Sequence, residues 1–228
     1  MPWIDAADEY AKPPRLPKFR PGSMSTAAEV EVFDGWAEIH AVELVGEVLD
    51  LADANTVEIT DSSLGRCRLV VHPEAQIRVR RSQLESCDLS QVRFNTVSQS
   101  RFGGCKLTGT EFEGRLADAE LAHCALAMTR FPGTQLSRVL MSDCTLTEAD
   151  FFEAALSDVA FDDSVLDAVS LDRARFERVD LRQAAQIELL NCRDFSGCLI
   201  TGLQAQAMAL QLAHSLGLGI ENDLIDDG

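Results

Sequence analysis

From residue 116 to residue 181 the chain reads, in fives, LADAE LAHCA LAMTR FPGTQ LSRVL MSDCT LTEAD FFEAA LSDVA FDDSV LDAVS LDRAR FERVD L. Every fifth residue is large and apolar: Leu116, Leu121, Leu126, Phe131, Leu136, Met141, Leu146, Phe151, Leu156, Phe161, Leu166, Leu171, Phe176 and Leu181. Two residues ahead of each stands something small or compact: Gly114, Ala119, Cys124, Thr129, Thr134, Val139, Cys144, Ala149, Ala154, Val159, Ser164, Val169, Ala174 and Val179. A period of five fits neither a helix nor a plain strand. Two inward residues with outward ones between and beyond them describe a short extended piece followed by a turn. Four such sides close a coil of about twenty residues, and coils stack about 4.8 Å apart through parallel backbone hydrogen bonds. No coil buries its apolar side alone, so many must stack, with Leu116 beneath Leu136, Leu156 and Phe176.

The same phase runs upstream through Ile39, Leu44, Leu49, Ala54, Ile59, Leu64, Leu69, Val79, Leu84, Leu89 and Phe94. Glu74 falls on a central slot. A buried carboxylate is costly, so His72-Pro73 beside it predicts a bulged corner. Phe94 to Phe102 is eight residues, which predicts a small loop extruded around Val97-Ser98-Gln99; Phe112 to Leu116 is four, which predicts a tightened corner at Gly114. Cys67, Cys87, Cys105, Cys124 and Cys144 all take the small inward position, where stacked side chains point the same way. They are expected to be buried free thiols rather than disulfides.

These residues resemble the pentapeptide-repeat pattern A(D/N)LXX, with close matches at Cys87-Asp88-Leu89, Ala149-Asp150-Phe151 and Val179-Asp180-Leu181. The resemblance implies an all-β fold, a right-handed quadrilateral parallel β-helix over residues 37–200, closed by a C-terminal α-helix in 201–228 with an acidic tail. Residues 1–36 lie outside the pattern. Lys12-Pro13-Pro14-Arg15-Leu16-Pro17-Lys18-Phe19-Arg20-Pro21-Gly22 reads as an extended or disordered arm, or one that docks along a rod through Leu16 and Phe19. Trp36 is expected to lid the first coil. Leu203, Ala207, Leu210, Ala213 and Leu216 recur at helical spacing, with Gly217 placed to stop the helix. In the Qnr-type and MfpA-type members, which this end resembles, such a helix caps the rod and joins two rods, so the resemblance implies a homodimer.

Net charge is −17, against an ordinary nucleic-acid binder, and it is unevenly spread. Residues 51–138 hold eleven bases and ten acids; residues 139–228 hold five bases and seventeen acids. Between Val139 and Asp172 there is no Lys or Arg, and Asp143, Glu148, Asp150, Glu153, Asp158, Asp162, Asp163, Asp167 and Asp172 all fall at outward positions. Those residues span roughly 8 Å of rod, a length in which duplex DNA carries about five charges.

The family resemblance implies a non-catalytic DNA mimic that binds a type II topoisomerase, DNA gyrase or topoisomerase IV, and inhibits it or protects it from poisons such as fluoroquinolones. The nine acids would stand in for phosphates. The alternative is a protein-interaction scaffold using the rod or the arm. An enzyme is not expected, because His40, His72, His123 and His214 are scattered and a filled rod is convex. No cofactor or metal site is read from the cysteine spacing. No run reaches a membrane span, and the start lacks a basic, then apolar, signal segment, so a cytoplasmic protein is expected.

Overall fold

The computed structural model describes residues 11–17, 32–191, 194–215 and 217–218. Short parallel strands wind into a four-sided solenoid, and the register follows the five-residue period. Ile39 pairs with Ile59, Ile59 with Val79, Val79 with Val97, Val97 with Leu116, Leu116 with Leu136, Leu136 with Leu156, and Leu156 with Phe176. One column of central residues therefore runs the length of the rod, about 34 Å at 4.8 Å per coil. Every member but Phe176 is buried.

The other sides are built alike. Leu44, Leu64, Leu84, Phe102, Leu121, Met141 and Phe161 form a second column. On the fourth side Phe94, Phe112, Phe131 and Phe151 stack face to face, with centroids 5.1, 5.0 and 4.3 Å apart. Such rings fill an axis that aliphatic layers alone would leave loose. The small inward residues carry a second device. Ser62 Oγ donates to Ile39 O at 3.2 Å, Thr129 Oγ1 to Leu107 O at 2.8 Å and Cys124 Sγ to Phe102 O at 3.5 Å, each reaching a carbonyl one coil below. Small polar residues recur there because they satisfy a carbonyl without adding bulk. Cys67, Cys87, Cys105, Cys124 and Cys144 are buried free thiols of this kind.

The corners explain the outward sequence. Most turn through a residue with positive φ, as at Asp61, Arg81, Asp118, Arg138, Asp158 and Arg178. Glu74 stands outside in a bulged corner where Ala75 N bonds His72 O at 2.9 Å, and buried Ala75 takes the slot.

Three sequence expectations are corrected. Val97 is not in an extruded loop: it is fully buried in the strand Arg93–Gly103 and belongs to the first column. The coil is shortened rather than lengthened, with a register slip between Phe94 and Thr96. Gly114 does make a tight corner at φ +71, where a Cβ would lie 2.7 Å from Asn95 O, but it is exposed rather than inward. Trp36 is not a lid. It is 42% exposed in the strand Trp36–His40, beside the antiparallel pair Phe33 and Trp36.

At the far end the helical stretch is broken in two, α1 (Gly202–Ala207) and α2 (Ala209–Ser215). Thr201 and Gln204 form a capping box at the start of α1. The cap faces the core through Met208, which is buried, and Leu212, while Gln204 Nε2 donates to Leu181 O at 2.8 Å and Gln211 Nε2 to Leu189 O. These amides satisfy carbonyls that the last coil would otherwise leave bare.

Candidate partner-binding surface

The nine acids of the C-terminal coils lie on all four sides, and their surroundings divide them. Asp158 is the most enclosed, 5% exposed. Its Oδ1 accepts Arg178 Nε at 2.6 Å and its Oδ2 accepts Arg178 Nη2 at 2.9 Å. Glu153 pairs with Arg173 at 2.9 Å, and Asp150 Oδ1 accepts Phe152 N–H at 3.1 Å. Asp172 lies beyond Leu171 on the fourth side.

The other five run together round half the circumference. Asp162 follows Phe161 on the second side. Asp143 and Asp163 share the next corner one coil apart, Asp167 follows Leu166 on the third side, and Glu148 turns the corner beyond it. Among the described residues the one basic side chain in contact with this group is His123, whose Nδ1 lies 3.6 Å from Asp143 Oδ2; Asp167 accepts a weak bond from Gln186 Nε2 at 3.4 Å. Burial, with Asp180 and Asp163 nearby, pushes the Asp162 carboxyl above its ordinary value. Asp180 itself is bound at both oxygens by Arg182, at 3.0 and 2.7 Å.

The corner between the first and second sides, next to Asp162, is an ion-pair ladder. Arg138 grips Asp118 at 2.6 Å through Nε and Nη2, as Arg178 grips Asp158, and Arg81 grips Asp61 in the same way lower down. The Arg138 guanidinium holds Asp118 below its usual value against the opposing effect of burial, and Arg178 does the same for Asp158. Residues 11–17 lie along this edge: Lys12 N–H donates to Asp158 Oδ1 at 3.3 Å and Arg15 N–H to Asp118 Oδ1 at 3.1 Å. Leu16 is half-buried; Phe19 lies outside the described residues. The alternation Asp118, Arg138, Asp158, Arg178 at intervals of twenty was the available signal for the ladder, and nothing in composition shows that the arm seats on it.

Of the residues assigned to dimerisation, Leu203, Ala207 and Leu210 face solvent, Leu203 at 77% and Leu210 at 64% exposure; Ala213 is half-buried, and Leu216 lies outside the described residues. Among the described residues no three His, Cys, Asp or Glu side chains are placed to hold a metal ion, and no helix is long and apolar enough to cross a membrane.

The Pentapeptide repeats family model matches residues 144–183 in eight copies. No curated protein matches the sequence. Among solved structures, a trypsin-treated variant of QnrB1, a plasmid-mediated fluoroquinolone resistance protein, is 18% identical, with 80% of this chain and 99% of that one covered and a TM-score of 0.35. Full-length QnrB1 is 20% identical over 78% of this chain and 99% of its own, at 0.30. HetL, a pentapeptide repeat protein involved in heterocyst differentiation regulation from the cyanobacterium Nostoc, is 14% identical over 72% of this chain and 89% of its own, also at 0.30. Scores this low carry no function across.

Proposed function

We propose, from the premise that this chain is a pentapeptide-repeat rod, that it is a non-catalytic cytoplasmic protein that mimics DNA and binds a type II topoisomerase, DNA gyrase or topoisomerase IV. The observation that carries this reading is the sidedness of the charge. Asp143, Glu148, Asp162, Asp163 and Asp167 run together round half the circumference without an Arg or Lys partner among the described residues, while Asp158 and Glu153 are each paired with an arginine. A cationic groove built for duplex DNA gains most from carboxylates that have not already been paired. Asp158, Glu153, Asp150 and Asp172 lie apart from that half, and Asp158 is too enclosed to act as a phosphate substitute. Two rods joined through the Leu203, Ala207 and Leu210 face would bring two acidic segments towards one another.

The resemblance of the repeat and its terminal helix to Qnr-type proteins is why a fluoroquinolone belongs in the assay. Gyrase supercoiling is measured with and without a fluoroquinolone at rising protein and salt concentrations. Inhibition or protection is expected to weaken in high salt and to fall at least tenfold in Asp162→Lys/Asp163→Lys. Unchanged activity in that variant overturns the reading.

A second reading, a scaffold that holds an unrelated protein, is favoured by the arm seated on the ladder.

A further inference from the structure

The two arm contacts are the same contact made twice. At Asp118 and at Asp158, Oδ1 accepts both a guanidinium Nε–H from the next coil and a backbone N–H from the arm, while Oδ2 accepts the guanidinium Nη2–H. The two aspartates are two coils apart, about 9.6 Å at the spacing of stacked strands. Lys12 and Arg15 are three residues apart, about 9.3 Å in a polyproline II segment. The rise of the ligand and the repeat of the ladder therefore match.

Polyproline geometry suits the site in two further ways. It makes no internal hydrogen bonds, so its N–H groups are free to donate, and its threefold turn puts Lys12 and Arg15 on one side. Pro13, Pro14 and Pro17 hold the segment extended, which lowers the entropy lost on docking. Between the donors the prolines have no N–H to leave unsatisfied. The specificity lies in a short pattern: a basic residue, two prolines, a basic residue, with backbone donors at the first and fourth positions.

We propose that the Asp118–Asp158 edge is a receptor for extended, basic, proline-rich segments of other proteins, and that residues 11–17 are its resident occupant, displaced when such a segment arrives. This holds whatever the acidic half of the rod binds. A tethered occupant competes at an effective concentration on the order of millimolar, so the closed chain hides the site from weak ligands.

The test uses the full chain and a fluorescent peptide with the sequence of residues 9–20. Lys12→Pro/Arg15→Pro removes both arm N–H donors and leaves the rod intact, so peptide affinity is expected to rise at least tenfold over the unaltered chain. Adding Asp118→Asn/Asp158→Asn is expected to remove that gain. A peptide with proline at the same two positions should not bind, a control that asks nothing of the rod's folding. Equal affinity for the closed and opened chains, or undiminished binding of the proline-substituted peptide, overturns the proposal.

Discussion

Phe131 sits between Phe112 and Phe151, parallel to both within 5°. Truncating it leaves a void that two stacked rings cannot fill by rotating, so Phe131→Ala is expected to cost roughly 3–5 kcal/mol in chemical denaturation. Asp162 points the other way. Its folded carboxyl titrates above the ordinary aspartate value of 3.8, so its charge opposes folding, and the penalty grows as pH rises through the folded value. Asp162→Asn should therefore stabilise the rod at pH 7 by up to about 0.5 kcal/mol, and the gain should vanish below pH ~4, measured by denaturation at both pH values. The same substitution weakens the proposed partner surface. Single residues also mark where the sequence was and was not legible. Leu116 to Leu181 announced the rod because each slot repeats the one before, whereas Val97 was hidden. A deletion and an insertion both break phase, and only the strand pairing with Val79 and Leu116 distinguishes them.

Among the elements, the C-terminal cap divides its residues by side. Helical spacing in the sequence picked out the stripe Leu203, Ala207 and Leu210, yet the core is covered by Met208 and Leu212. Periodicity gives the existence of an apolar stripe but not its direction, and the buried Met208 stands at the break between α1 and α2, outside the stripe. The two faces have separable effects. Met208→Ala should loosen the rod's end and cost about 2 kcal/mol, read as a lower melting temperature. Leu203→Glu/Leu210→Glu alters side chains already in solvent and should leave the melting temperature within about 2 °C. If two rods join through this face, the same pair of substitutions halves the mass seen by light scattering at micromolar concentration; an unchanged mass would assign the dimer elsewhere or deny it.

Taken as a whole molecule, the rod separates its charges by side, an arrangement the linear count of nine acids could not reveal. The count located the acidic coils, and the fold then set five of the acids side by side while placing Asp158 in the ladder and Glu153 against Arg173. Stacked coils touch only their neighbours, so stability is a sum of local coil and interface terms, and the ladder contributes at several levels along the rod. Asp61, Asp118 and Asp158 are each held below 3.8 by a gripping arginine, and Asp88 by hydrogen bonds from Ser90. Because the folded values lie below the unfolded one, this stabilisation is fully present above pH 3.8 and is lost as pH falls through the depressed values. Denaturation midpoints should accordingly show no loss from these groups between pH 7 and about 4, then fall steeply below it. Asp118→Asn/Asp158→Asn should lower stability at pH 7 by roughly 1–3 kcal/mol, since Arg138 loses its carboxylate and Arg178 keeps only Glu177, and should flatten the acid limb. Cleavage by trypsin after Arg15, followed over the same pH series with a protease-matched control peptide, should quicken in that variant at neutral pH as the arm leaves the edge. An acid limb as steep in the variant as in the parent would place the pH-sensitive stability outside the ladder.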